Sequence, residues 1–379
     1  MKIGIDSFGC GHGKSGIGSY LSSLSSQLKN SADCTFEIFG SEIDRYTYGA
    51  ENGLSYSSVK LPNSHFYETL WHYGCSNIFA RYHKYDAVLY AAGARYIPLF
   101  CTVPGVAVVY DVLSELYEDE ILKNHTKRIL LGLKNASKVI AASHFIRKDL
   151  IKLGVPEEKI TVIYNGINHS EFYPRELLSP SLLDIKPFAI KRPYFIYPSQ
   201  ISSSSKKHVE LIKAFSLFKE KTHLEHRLVL TGSEGKAIES VKKAILESKF
   251  HQDIFITGFF PHESFPLLYS ASEGCIFPSI NEGVGLPVLE ALASGVPVAC
   301  STGGSLPEIA GDNAVYFDSD NIEQMADAIE KIAVESNLRK KLKEGGLEWT
   351  KRFSWDKTAE KTIDVLKGVC KKYKNKNYN

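Results

Sequence analysis

The chain has 379 residues, more than one hydrophobic core comfortably serves, and its 44% hydrophobic and 23% charged residues suit a two-domain globular protein. A formal net charge of +2 gives no footing for a nucleic-acid partner. The seven cysteines are dispersed without a Cys-x-x-Cys pair, which points to free thiols in a reducing compartment rather than a disulfide framework or zinc site. No run reaches the roughly 18 continuous apolar residues of a membrane span. The chain opens directly on a strand-like KIGID, so a cytoplasmic protein without a leader peptide is expected.

Short apolar runs then alternate with amphipathic stretches, the pattern of α/β units on parallel sheets. In the first half, 2–6, 35–39, 87–90, 106–110, 138–142 and 160–163 read as strands. Gly11, Gly13 and Gly16 spell a G-x-G-x-x-G, but the acid it needs about 20 positions on would be Glu37, inside a strand. Gly13-Lys14-Ser15 mimics a phosphate loop, yet Gly9 stands one residue too near. Neither a nicotinamide site nor a triphosphatase is expected. The segment 121–138 interleaves Lys123, Lys127, Arg128, Lys134 and Lys138 with leucines and isoleucines. It reads as a basic amphipathic helix, either packed on its own domain or resting on anionic lipid. The stretch 175–192, with Pro180 and Pro187 and with Pro193 just beyond, reads as a linker. A second series follows at 194–197, 228–231, 254–257, 274–277 and 296–300, with a helix over 209–221. The segment 353–371 is a further helix candidate, and the basic tail from Lys371 reads as disordered.

The richest stretch is FPSINEGVGLPVLEAL at 277–292. It sets Glu282 and Glu290 eight positions apart around a glycine-rich turn that opens a helix near Leu286, with Pro287 in the first turn and Gly295 past the end. A helix start beside Gly283 and Gly285 presents bare N–H groups to which a phosphate can come close. Glu290 shares a helix face with Leu286, Leu289 and Ala293. A carboxylate there needs compensation, from an internal Lys or Arg or from a ligand diol such as a ribose. Asp318-Ser319-Asp320 mimics a metal-binding DxD, but it lies between a strand at 314–317 and a helix from Ile322, where Asp or Ser acts as a cap.

The block EGVGLPVLEALASGVPV, followed by SLPEIAGDNAVYFD, resembles the signature region of the retaining family-four glycosyltransferases of the GT-B fold. In weaker form the likeness runs over nearly the whole chain. It implies an α/β protein of two Rossmann-like domains facing across a cleft, 1–174 and 193–355, with 175–192 between them. A C-terminal helix, 356–379, crosses back to the first domain. On the donor side it implies that Glu282 accepts hydrogen bonds from the transferred sugar, that the backbone of Gly283, Val284, Gly285 and Leu286 holds the diphosphate, and that Glu290 takes the ribose. Lys207, in KKHVELIKAF, matches the lysine that neutralises the leaving group. Gln200, in YPSQ, stands where the family usually has arginine, as in mannosyltransferase-like members, and tilts the donor toward GDP-mannose. Phe260, beside Gly258 and Phe259, falls on the turn that reads the base, or else packs.

Gly16 and Gly18, in GIGSY, match the glycine loop that lets phosphates and acceptor approach. Asp111 matches an acceptor-side position. Tyr110 replaces the family's histidine there and can hydrogen-bond a hydroxyl, but is not protonated as imidazole is. Ser143 and Asn165-Gly166 fit cleft positions that capping and turn chemistry also explain. The implied reaction is a front-face displacement with retention, needing no cofactor and no metal. Its partners are a nucleotide-sugar donor and a glycan or lipid-linked glycan acceptor of surface-polysaccharide assembly, with 121–138 as the candidate contact to the cytoplasmic membrane face. A UDP-sugar transferase, a sugar-nucleotide epimerase and a silent nucleotide-sugar binder are the alternatives.

Overall fold

A computed structural model describes residues 1–13, 15–48, 53–62, 64–118, 123–176 and 181–377. Lys14, Ile121, Leu122, Pro180 and residues 378 and 379 of the expected closing helix therefore lie outside the described residues. The chain forms two compact units, Met1–Gly166 with Phe353–Asn379, and Ile167–Arg352.

The first unit holds a seven-stranded sheet of β1 (Lys2–Asp6), β2 (Thr35–Ser41), β3 (Ser55–Val59), β4 (Ala87–Tyr90), β5 (Gly105–Val109), β6 (Lys138–Ala141) and β7 (Ile160–Val162). Every pairing is parallel, in the order β3-β2-β1-β4-β5-β6-β7. β4 and β5 are buried at every residue, as expected of parallel strands covered on both faces. β3 has no counterpart in the sequence reading. It is a half-exposed edge strand, SYSSV, whose serines break any apolar run. Glu37, the acid that the G-x-G-x-x-G motif would have needed, lies in β2 as expected and pairs with Lys2 and, at 3.0 Å, with His83 Nδ1.

The helix Trp355–Asn377 belongs to this first unit. Thr358 Oγ1 donates to the Tyr164 carbonyl at 2.8 Å, the Tyr373 hydroxyl to the Thr102 carbonyl at 3.3 Å, and Lys374 pairs with Asp86 at 3.2 Å. The tail from Lys371, expected to be disordered, is instead the last part of this helix as far as Asn377, because Tyr373 and Lys374 anchor it.

The second unit begins with an antiparallel hairpin, β8 (Leu182–Ile185) and β9 (Phe188–Lys191), inside the stretch read as a linker. Leu183, Ile185 and Ile190 are buried in it at alternate positions, a two-residue period too short to stand out among the prolines. Phe188 packs its ring 5.5 Å from that of Phe260, which ties the hairpin to its own unit. Next come β10 (Tyr194–Pro198), β11 (Arg227–Thr231), β12 (Ile254–Gly258), β13 (Gly274–Phe277), β14 (Val298–Ser301) and β15 (Ala314–Phe317). They form a parallel sheet ordered β12-β11-β10-β13-β14-β15. In each sheet the order reverses once, between β1 and β4 and between β10 and β13. Such reversals open a crevice at the strands' carboxyl ends.

Gly166 sits where the last helix docks. A Cβ there would stand 2.2 Å from the Trp355 nitrogen and 2.5 Å from the Ser354 carbonyl carbon, both backbone atoms. Gly166→Ala should therefore destabilise the first unit by roughly 1–3 kcal/mol. Hydrogen exchange should show residues 355–377 losing protection first, and unchanged protection there would contradict this docking.

Candidate functional site

In the second unit the crevice lies between the chain leaving β10 and the chain leaving β13. β13 ends at Phe277, and the loop that follows is pinned by its backbone. The Ile280 N–H donates to the Ser205 carbonyl at 3.0 Å, and the Ser305 N–H donates to the Glu282 carbonyl at 2.8 Å. Gly303 and Gly304 make this approach feasible. A Cβ on Gly303 would lie 2.4 Å from the Ile280 oxygen, and one on Gly304 2.4 Å from the Glu282 oxygen. Gly304 also has φ +60°, which a side chain disfavours. The sequence reading passed over this pair, although two adjacent glycines just beyond a strand are a signal of close backbone approach.

Gly285, at φ 70°, caps the helix Leu286–Ala293 with Pro287 in its first turn. Gly295, also at φ 70°, ends it, and the Gly295 and Val296 N–H groups bond back to the Leu292 and Ala291 carbonyls at 3.0 Å each. Gly283, Val284 and Leu286 are partly exposed along this start.

Glu282 Oε2 lies 3.0 Å from the Nζ of Lys206, not Lys207. The turn Ser204–Lys206 is fixed by the Tyr197 hydroxyl, which donates to the Lys206 carbonyl at 2.7 Å. Lys207 then takes φ 55°, a left-handed conformation that turns its side chain elsewhere before the helix His208–Thr222 starts. Its Nζ meets Asp320 Oδ1 at 2.6 Å and Glu210 Oε1 at 3.3 Å, and Asp320 raises its pKa. Of the two adjacent lysines, Lys206 and not Lys207 pairs with Glu282. Asp320, read as part of a cap, is a lysine partner, while the cap of Ile322–Val334 is Asn321, accepting the Gln324 N–H at 3.0 Å. Among the described residues no group of three or more His, Cys, Asp or Glu is arranged to hold a metal ion.

Gln200 is exposed just past β10. Phe260 is 1% exposed and packs on Phe188, so its side chain belongs to the core, whereas Phe259 is 69% exposed at the end of β12.

Glu290 lies in the apolar stripe foreseen for it. The Tyr269 hydroxyl donates to its Oε2 at 3.0 Å, and among the described residues no lysine or arginine pairs with it. Burial pushes its pKa up to about 8, with the tyrosine's hydrogen bond opposing and the negative charge of Glu171 adding to the rise. Of the two compensations open in the sequence, the internal cation is not the one used.

In the first unit the corresponding crevice, at the ends of β1 and β4, is a cavity of about 490 Å³. His12, His65, Arg95, Asp111 and His125 line it. Arg95 donates to the Gly9 carbonyl at 3.0 Å and reaches Asp111 Oδ2 at 3.9 Å. Burial raises the Asp111 pKa, and the Arg95 guanidinium opposes the rise. His12, in a left-handed conformation, places Nδ1 2.6 Å from the buried Asp44. His65 bonds the Tyr96 hydroxyl, and its ring stands 5.1 Å from that of His125. Below, His72 bridges Asp6 at 2.7 Å and the Glu68 carbonyl at 2.6 Å and stacks on Tyr96. Only Asp111 of these was anticipated, because the others come from separate segments that share no spacing.

Tyr110 points into the core instead, its ring 4.9 Å from that of Tyr20, which packs in turn on Trp355. The large hydrophobic ring fills the core as imidazole would not. Ser143 is buried and caps the helix His144–Lys152 by accepting the Ile146 N–H at 3.1 Å. Asn165 is buried directly before Gly166. Gly16 opens the helix Gly16–Gln27 with open space where a Cβ would be. Gly18 lies against its own loop, where a Cβ would be 2.4 Å from the Cys10 carbonyl oxygen.

Each unit thus carries a crevice at the point where its strand order reverses, and the second adds a glycine-rich helix start beside the Lys206–Glu282 pair. The sequence pattern of "Glycosyl transferases group 1" matches residues 182–349, and that of "Glycosyltransferase Family 4" matches residues 14–171. The O-antigen chain mannosyltransferase B of Escherichia coli is 27% identical over 258 residues, 67% of this chain and 66% of that protein. The O-antigen chain mannosyltransferase RfbU of Salmonella typhimurium is 25% identical over 236 residues, 59% of this chain and 62% of that protein. The match thus spans just under two thirds of these relatives' length. Among solved structures, Anabaena Alr3699/HepE in complex with UDP and glucose superposes with TM-score 0.74 at 16% identity, covering 97% of this chain and 99% of that one. The chain belongs to the family-four glycosyltransferases and has their GT-B fold.

Glu290 gives a prediction of sign. An unfolded glutamate releases its proton near 4.3, whereas the folded one holds it to about 8. The unfolded state binds fewer protons between those values, so stability falls as pH rises through them. Glu290→Gln, which does not ionise, should gain on wild type across this window, by roughly 2–4 kcal/mol at pH 8 and by little at pH 4. Urea melts at the two pH values check it, and a pH-independent difference would mean that Glu290 folds already ionised.

Proposed function

We propose that this protein is a retaining glycosyltransferase that moves a sugar from a nucleoside-diphosphate donor to a glycan acceptor. The observation that carries the reading is the donor-side constellation in the second unit: Lys206 on Glu282 at 3.0 Å, beside the helix start at Gly285, with Glu290 in an apolar stripe one turn further on. In this reading the diphosphate lies against the backbone of Gly283–Leu286, where the helix dipole and N–H groups favour negative charge. Lys206 turns from Glu282 to the leaving diphosphate, which frees Glu282 to accept hydrogen bonds from the sugar. The ribose diol donates to Glu290, and Gln200 reaches the same crevice from β10.

The transfer is a front-face displacement. The acceptor hydroxyl forms the new bond to the anomeric carbon as the bond to the diphosphate breaks, and the leaving phosphate takes the hydroxyl proton. The protein positions both substrates and stabilises the charge on the diphosphate, without a metal. Asp111 and Arg95 orient the acceptor in the first unit's cavity. The O-antigen chain mannosyltransferases among the relatives support mannose as the sugar and a polysaccharide as the acceptor, and to these we add GDP-mannose as donor, a lipid-linked acceptor and the cytoplasmic face of a membrane. No helix among the described residues is long and apolar enough to cross a membrane. A contact with that face through the described part of 121–138 fits its exposed Lys127 and Arg128.

The test is transfer from GDP-mannose to mannosyl oligosaccharides, with the product's anomeric configuration read by NMR. Lys206→Ala and Glu282→Gln should each cost about 10²–10³-fold in kcat, and Lys207→Ala less than about tenfold. An inverted product would refute retention. Equal losses at 206 and 207 would refute the reassignment of the lysine, and donor conversion without acceptor would favour an epimerase.

A further inference from the structure

The pair of His12 and Asp44 on the first unit's cavity has no part in the reaction described above. The loop that carries His12 has three successive left-handed residues, Gly11 at φ +61°, His12 at φ +53° and Gly13 at φ +79°. Glycine takes this conformation freely, whereas for histidine it is uncommon and strained. The loop closes without the imidazole. The Ser15 hydroxyl donates to the Cys10 carbonyl at 2.8 Å and accepts the Gly18 N–H at 3.1 Å. Gly13 packs closely on the next helix, where a Cβ would stand 2.7 Å from Cγ2 of Thr47. A third glycine would suit this backbone better, so the reason for a histidine lies in its side chain.

That side chain is held from one end. Nδ1 lies 2.6 Å from Oδ1 of Asp44, whose side chain is 4% exposed in the short helix Asp44–Tyr48. A carboxylate only accepts, so Nδ1 carries the hydrogen and the neutral ring keeps its lone pair on Nε2. The imidazole lines the cavity at 39% exposure, and among the described residues Nε2 has no hydrogen-bond partner. The pair therefore offers the cavity an acceptor nitrogen of fixed direction.

The remaining groups define what it meets. Three carboxyls, Asp44, Glu68 and Asp111, share the cavity with one guanidinium, that of Arg95. Arg95 is itself engaged by the Gly9 carbonyl at 3.0 Å and by Asp111. His65 is bonded to the Tyr96 hydroxyl, and His125 stands beside it. Burial pushes the Asp44 and Asp111 carboxyls up and the His125 imidazole down, in each case away from the charged form. Such a wall accepts hydrogens from hydroxyls and resists a further negative charge. Its volume of about 490 Å³ falls within the roughly 300–1,000 Å³ of small-molecule sites.

We propose that His12, oriented by Asp44, accepts a hydroxyl hydrogen of an uncharged sugar bound in the first unit's cavity. His12 touches the ligand, and Asp44 is the positioning residue behind it. Binding in the cavity stands on the first unit alone, and only the sugar's role as acceptor rests on the function proposed above.

The test is nitrogen NMR of the full chain labelled at histidine, without any donor, at about pH 8 where a free imidazole is neutral. The probes are the methyl glycosides of mannose, glucose, galactose and N-acetylglucosamine, with mannose 6-phosphate and glucose 6-phosphate as anions. His12 should show the tautomer protonated at Nδ1, and Asp44→Ala should abolish that preference. At least one neutral glycoside should move the Nε2 resonance, and the phosphates should bind at least about tenfold more weakly. His12→Gly, which suits the left-handed backbone, should melt no lower than wild type yet weaken the sugar at least about tenfold. Asp44→Ala should weaken it similarly. A panel in which no neutral sugar moves His12, a phosphate that binds more tightly, or a His12→Gly variant that binds as wild type does overturns the proposal. So does a His12→Gly variant that melts well below wild type, which would make the pair a tie for the loop. With no donor present, these outcomes are separate from whether transfer takes place.

Discussion

The strand-order reversal in each sheet is the constraint on which the rest of this structure depends. The chain leaving β1 or β10 turns one way and the chain leaving β4 or β13 the other, so no loop fills the gap at their carboxyl ends. Both crevices described here lie at these two points. Asp6, Gly9 and Arg95 gather at the first, and Ser199, Gln200 and the 280–285 loop at the second. The glycines follow from this placement. Backbone must pass backbone where loops cross a crevice mouth, and Gly303, Gly304 and Gly232 stand where a Cβ would collide within 2.4 Å with a neighbouring carbonyl.

What was legible in the sequence was local. The turn from Glu282 to Glu290 encodes its own helix start, its stop and the place of Glu290 in an apolar stripe within about twenty consecutive residues. Buried strands such as β4 and β5 announce themselves as unbroken apolar runs. The choice between Lys206 and Lys207 as the partner of Glu282 was not legible, because a single left-handed residue at 207 decides which of the two faces it, and lysine does not advertise that conformation. The first unit's cavity was hidden for another reason. His12, Asp44, His65, Arg95 and His125 are drawn from five separate loops and helices, and only the sheet's topology unites them. The 182–191 hairpin was missed within the stretch read as a linker, and Phe260, for which packing was one of two readings, is the residue it packs against.

The electrostatics show where stability has been given up. Glu290 is a partly exposed carboxyl in an apolar stripe whose protein partner is a neutral hydroxyl, and desolvation raises its pKa and those of Asp44 and Asp111. Proteins retain such groups where function needs them, at the expense of folding free energy. A diol ligand would donate the hydrogen bonds that Glu290 lacks and shift it toward its ionised form. Occupancy of the second crevice and relief of that burial cost are then the same event.

The most direct measurement is a calorimetric titration of wild type and Glu290→Ala with GDP, UDP, ADP, dTDP and NAD near pH 7. The account predicts that one nucleoside diphosphate binds, that binding releases a proton as Glu290 ionises, and that the variant loses at least about tenfold in affinity together with the proton release. Binding of NAD alone, or diphosphate binding that is indifferent to Glu290, would contradict the assignment of the second crevice as a sugar-nucleotide site.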